Sequence, residues 1–227
     1  MLSFLRLALF CFNQDVKRYF IKKAYALFTR HDYLSIKTIM KKIISILLLF
    51  LPVYAFAHGS HGSGFMAGFT HPILGTDHNV ALIGAGFLGY LLNQKQWYLF
   101  PLAFILLMAI GGFLGIGQEA TLGIEKFIAF SVAFIGVAIG LRLSLGKAIG
   151  LGVLALFGFA HGFAHGAEMP EDTTALQYIS GFVLGAALLG VVGWGIANVI
   201  HRQENKERWI TFFGGILAGA GLLLLLP

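Results

Sequence analysis

The chain has 227 residues, 58% of them hydrophobic and only 11% charged, with a mean hydropathy of +0.82. Soluble domains carry roughly 25% charged residues, so this composition excludes an ordinary water-soluble fold and predicts an integral membrane protein. The net charge of +6 sits mostly before residue 43, and from His58 onward seven basic residues face eight acidic ones, which excludes a nucleic-acid-binding surface.

Residues 1–39 mix aromatic and basic residues, with Arg6, Lys17, Arg18, Lys22, Lys23, Arg30 and Lys37 among them. They read as an N-terminal extension without function, upstream of a true start at Met40. An amphipathic helix on the membrane surface is the alternative. Cys11, the single cysteine, also falls here. It allows no disulfide within the chain and no thiolate metal site, so any metal must be held by nitrogen and oxygen.

Residues 40–57 run Met-Lys-Lys, an apolar stretch from Ile43 to Leu51, then Ala55-Phe56-Ala57. A basic start, a short apolar core and an Ala-x-Ala site make a secretory signal peptide, too short to span a bilayer. Residues 58–70 form a His/Gly-rich tail that carries His58 and His61. These two imidazoles are accessory candidates for capturing an incoming ion.

Residues 71–227 hold six apolar stretches, at about 71–92, 97–117, 122–143, 147–168, 175–200 and 209–226. Each approaches the roughly 20 residues a membrane helix needs. The period-two alternation of barrel strands is absent. The expected fold is all-α, with six transmembrane helices after a cleavable signal. Lys95, Arg142, Lys147, Arg202, Lys206 and Arg208 lie between spans one and two, three and four, and five and six. Glu119, Glu125, Glu168, Glu171 and Asp172 lie on the other side with Lys126. Basic loops stay cytoplasmic, so both mature termini are expected in the periplasm of a bacterial inner-membrane protein.

The chemistry is concentrated in two motifs. The first is His71-Pro72-x-x-Gly75-x-Asp77-His78, and the second is His161-Gly162-x-x-His165-Gly166-x-Glu168. Ionisable groups inside a bilayer are costly and mark functional sites by default. The topology puts all six groups in the periplasmic part of the membrane. Helical spacing aligns His71 with His78, and His161 with His165 and Glu168, with Pro72 fitting a first helical position. Asp77 points off its stripe, to ligate or to orient a neighbouring imidazole. Neutral imidazole with carboxylate suits a divalent transition ion. Glu125 and Ser131, at the start of the third span, are further accessory candidates. His201, in a charged loop, reads as solvated surface. Gly158, Gly162 and Gly166 make a smooth flank on span four that reads mainly as a helix-packing surface, with close approach of span one as the functional reading. Gly136/Gly140, Gly181/Gly185 and Gly215/Gly219 repeat that spacing and suit close helix packing, including self-association into a homo-oligomer in the lipid bilayer.

These readings leave open a permease for a divalent metal ion, with no tightly bound cofactor and no enzyme activity, which the family resemblance described below favours. No GxxxxGK[ST] phosphate loop is present to couple it to nucleotide. An intramembrane metal-dependent hydrolase is the alternative, with Ser131 or Glu125 assisting, and a haem-binding electron carrier is a third class.

At His71-Pro-Ile-Leu-Gly-Thr-Asp77-His78 followed by Ala81, and at His161-Gly-Phe-Ala-His165-Gly-Ala-Glu168-Met-Pro170, the chain resembles the HupE/UreJ family of bacterial metal permeases. Glu125 and Ser131 match residues of that family, and the similarity extends over 58–227. The resemblance implies uptake of nickel or cobalt, with His71, Asp77, His78, His161, His165 and Glu168 as transport-site residues. One departure stands out: Gly190 occupies the place of the family's usual histidine in span five.

Overall fold

The computed structural model describes residues 64–119, 121–169 and 173–226. The N-terminal extension, the signal peptide, His58 and His61 lie outside the described residues, as do Glu171 and Asp172. The described residues form seven helices and no strand: α1 (Phe65–Leu74), α2 (Thr76–Leu92), α3 (Leu99–Gly115), α4 (Leu122–Gly140), α5 (Lys147–Gly166), α6 (Ala175–His201) and α7 (Lys206–Leu224). By length and composition α4, α5, α6 and α7 can each cross a membrane, while α3 is apolar but shorter at 17 residues. Large apolar side chains remain exposed on these helices, including Leu106, Phe130, Leu156, Leu188 and Phe212. Lipid rather than water is the solvent such a surface fits.

The first apolar stretch is not one helix beginning at His71. Helix begins at Phe65, stops at Leu74, and restarts at Thr76, with Gly75 extended between the two segments (φ −69°, ψ 119°). Pro72 therefore lies inside α1 rather than at its first position. A proline there donates no backbone hydrogen bond and crowds the preceding turn, and the ladder is interrupted three residues later. The Gly75 N–H caps α1 by donating to the His71 carbonyl at 2.9 Å, and the Asn79 side-chain amide donates to the Ile73 carbonyl at 3.4 Å. The break is thus hydrogen-bonded, as backbone at membrane depth must be.

α2 touches all six other helices and is the centre of the bundle. Its sequence explains that position. Ala81, Leu82, Ala85, Phe87 and Leu88 are buried together with Gly84, Gly86 and Gly89, so the helix is apolar all round and small on several sides. In lipid, helices gain little from hiding apolar surface from one another, and close backbone contact has to do the work. α3 and α5 show this best. Gly158, Gly162 and Gly166 rest on the carbonyls of Phe104, Met108 and Gly112. In return Gly111 and Gly115 face the carbonyls of Phe159 and Phe163. The glycine flank of α5 is thus a helix-packing surface, as its spacing suggests, but its partner is α3 rather than the first span. Gly136 and Gly140 meet α7, and Gly181 and Gly185 meet α1, whereas Gly215 and Gly219 face open space.

The inter-helix loops at one end are tied together. Lys147 Nζ donates to Gln96 Oε1 at 2.6 Å, Arg142 pairs with Glu207, and Gln94 meets His201 at 3.1 Å. His201 is therefore a half-buried bonding partner rather than a fully solvated side chain. Trp97 and Trp194 stack nearby, ring centres 5.0 Å apart, in keeping with an aromatic belt at a membrane interface.

Candidate metal centre

The break between α1 and α2 places His71 in the last turn of α1 and Asp77 and His78 in the first turn of α2. α5 brings His161 and His165 to the same place one turn apart, and Glu168 follows just past the helix end, where the chain turns beyond Gly166. All six motif residues meet. One nitrogen or oxygen from each of Asp77, His78, His161 and His165 lies within 4.8 Å of the others, and His71, His165 and Glu168 form a second such group. The carbonyl ends of α1 and α5 favour a cation near His71 and His165, and the Asp77 carboxylate offsets the positive N-terminal end of α2.

The hydrogen bonds decide which nitrogen of each ring is committed. A carboxylate only accepts, so His78 Nδ1–H donates to Asp77 Oδ1 at 2.8 Å, and His165 Nδ1–H donates to Glu168 Oε2 at 2.7 Å. The Ser131 hydroxyl donates to the Ile128 carbonyl at 2.7 Å, so its oxygen accepts from His161 Nε2–H at 2.9 Å. Each neutral ring then carries its lone pair on the other nitrogen. Those nitrogens, His78 Nε2, His161 Nδ1 and His165 Nε2, are buried and have no hydrogen-bond partner. His161 is 0% exposed, His78 1% and His165 7%. A single orphaned buried nitrogen costs about 1–3 kcal/mol. Three on adjacent rings, each held from behind by a carboxylate or hydroxyl, match the outer-partner pattern of metal-binding histidines. Asp77 Oδ2, 3.5 Å from His165 Nε2, adds a fourth donor and a negative charge.

His71 sits on the more open side. Its Nε2 is 3.3 Å from His165 Nδ1 and 3.6 Å from Glu168 Oε2, and Glu168 is 53% exposed. One oxygen of Asp77 orients His78 and the other faces His165. Ser131 is buried in contact with His161. Glu125 is exposed in the first turn of α4 and belongs to neither group.

Two residues that the sequence reading did not single out complete the wall. Tyr178 and Phe182, one turn apart on α6, stack with ring centres 6.1 Å apart. The His71 ring lies 5.9 Å from Tyr178 and 5.6 Å from Phe182, and the His78 ring 5.7 Å from Phe182. Their i, i+4 aromatic spacing at the start of α6 was the available signal. Gly190 lies two turns further along α6, against the Gly86 backbone of α2. A Cβ there stands 3.0 Å from Pro101, so a side chain at this position would need Pro101 to give way.

Gly75 gives the cluster room. A Cβ at this position stands 2.9 Å from His78 Nδ1 and 3.3 Å from Asp77 Oδ1. Gly75→Ala is expected to push the Asp77–His78 pair apart and favour helix across the break, weakening metal binding while circular dichroism keeps its helical signal. Unaltered metal affinity in this variant would show that the break does not set the site.

The fold and the cluster together define a class: an α-helical membrane protein whose discontinuous helix carries a buried imidazole–carboxylate cluster. The comparisons with known proteins then supply the family. A family profile described as "HupE / UreJ protein" matches residues 46–224. A curated relative, Protein HupE of Rhizobium leguminosarum bv. viciae, is 36% identical over 181 residues, covering 78% of this chain and 93% of the relative. The chain belongs to the HupE/UreJ family. No solved structure matches it.

Proposed function

We propose that the protein is a permease that takes up a divalent transition-metal ion, nickel or cobalt, from periplasm to cytoplasm across a bacterial inner membrane. One observation carries the reading: three buried, unpartnered imidazole nitrogens beside the Asp77 carboxylate. Neutral imidazole with one carboxylate suits a borderline cation, and the three nitrogens have no hydrogen-bond partner among the described residues. Discontinuous helices whose ends line a buried site are a recurrent transporter device, and α1 with α2 supplies one. In this reading α1 and α2 together form the first of six crossings. The bonded basic loops face the cytoplasm, and both mature termini lie outside after cleavage behind Ala57. His58 and His61 would then sit on a periplasmic tail near the entrance.

The energetics are sufficient without nucleotide. An inside-negative potential favours inward movement of a dication by about 4.6 kcal/mol per 100 mV, twice the single-charge value of about 2.3. A hydrolase gains nothing from these contacts: Ser131 is engaged with His161 and Ile128 rather than facing a substrate, and Glu125 stands apart. A haem carrier is disfavoured too, because the His78 and His165 ring centres are 3.6 Å apart and leave no slot for a porphyrin.

The test is accumulation of nickel, cobalt and zinc by cells expressing the protein. Uptake of nickel or cobalt above that of empty cells is the expected result, and no accumulation of any ion at normal membrane abundance contradicts the reading. Ser131→Ala refines it. Without the hydroxyl His161 is free to take the other tautomer, and affinity is expected to fall by about 10–100-fold, the usual effect of losing an outer partner. Unchanged half-saturation of uptake in this variant would remove His161 from the site.

A further inference from the structure

Resting on the permease reading, we infer that the cluster is two overlapping metal sites that share His165 and pass the ion from one to the other. The outer set is His71, His165 and Glu168, and the inner set is Asp77, His78, His161 and His165. They differ in the way successive stations on an entry path should. The outer set includes the 53% exposed Glu168 and the partly exposed His71, whereas the inner histidines are all buried. His165 stands between them with one nitrogen toward each. Its Nδ1 faces Glu168 Oε2 at 2.7 Å and His71 Nε2 at 3.3 Å. Its Nε2 faces Asp77 Oδ2 at 3.5 Å and has no hydrogen-bond partner.

A neutral imidazole has one lone pair and one N–H, so His165 serves one site at a time. With the ion outside, Nδ1 binds it and Nε2–H points to Asp77. With the ion inside, Nε2 binds it and Nδ1–H returns to Glu168. In the exchange the metal–Nδ1 bond breaks and the metal–Nε2 bond forms. One proton passes from Nε2 to Asp77 Oδ2, 3.5 Å away, and one reaches Nδ1 from water at the exposed Glu168 side, so the ring keeps a single N–H and the displaced proton rests on Asp77. The two carboxylates hold the proton in the alternate states, which explains why one imidazole is flanked by two acids. Glu168 is then a capture residue that governs how little metal suffices, and His161 governs passage inward.

Cobalt(II) is the probe, because its visible bands report its ligands. The full chain purified in detergent is titrated, alongside Glu168→Gln, His161→Gln and Ser131→Ala, and uptake is measured for each in cells. Wild type is expected to bind one cobalt ion per chain at saturation. Glu168→Gln should keep the wild-type bands while its half-saturating metal concentration for uptake rises by about tenfold, the low end of such losses. His161→Gln, or Ser131→Ala if the former does not fold, should bind cobalt with altered bands and show slow uptake that excess metal does not restore. Two ions per wild-type chain, or Glu168→Gln and the inner variants sharing one spectrum and one concentration dependence, would overturn the hand-off while leaving the permease reading intact. No cobalt bound and none taken up by wild type would instead overturn the permease reading.

Discussion

His165→Ala is expected to reduce nickel and cobalt uptake to the level of cells without the protein. The residue belongs to both metal-capable groups, and its two nitrogens face Glu168 on one side and Asp77 on the other. Its loss leaves His71 with Glu168 outside and three donors inside, with nothing linking them. Loss of an outer partner alone lowers metal affinity by about 10–100-fold, so removal of a shared ligand should exceed that range. The fold is expected to survive, because the α5 contacts that hold this turn in place come from Gly158, Gly162 and Gly166 against α3 and remain intact. Uptake equal to wild type, at equal abundance in the membrane, would sink the proposed site.

Asp77→Asn should have the second largest effect, for a different reason. An asparagine carbonyl still accepts from His78 Nδ1–H, so geometry is retained and the charge alone is lost. A dication and a carboxylate about 4 Å apart attract by roughly 8 kcal/mol before desolvation costs, at an effective dielectric near 20. A neutral amide supplies only a fraction of that, and the other inner donors are uncharged imidazoles. Uptake is expected to collapse while thermal stability and helical content stay near those of wild type. If Asp77→Asn transports normally, the site does not rely on a buried charge to hold its cation.

Much of the arrangement was legible in the sequence because the bilayer constrains it so strongly. Apolar length located α4 to α7, and the alternation of basic and acidic loops placed both His motifs at one end of the bundle. Helical spacing then aligned His161 with His165, and both rings do reach the cluster. The first stretch was harder. Pro72 reads as the first residue of one helix, yet it lies inside α1 ahead of the extended backbone at Gly75, where a Cβ would crowd His78 and Asp77. Helical spacing alone carries no sign of that break. Glu168 reaches His165 from a turn rather than along a helical stripe, because α5 ends at Gly166. The glycine flank was recognisable as a packing surface, but glycine carries no mark of its partner, and it faces α3 rather than the broken helix. Tyr178 and Phe182 carry no mark in the sequence of facing the cluster, since their part in it depends on α6 packing beside α1.

The most direct test of the central claim is X-ray absorption on the purified protein loaded with nickel or cobalt. Buried His78, His161 and His165 with Asp77 should appear as an inner shell dominated by imidazole nitrogen with one carboxylate oxygen, and His78→Ala should visibly thin that nitrogen shell. An all-oxygen shell, or a spectrum untouched by His78→Ala, would contradict a metal site at the α1–α2 break.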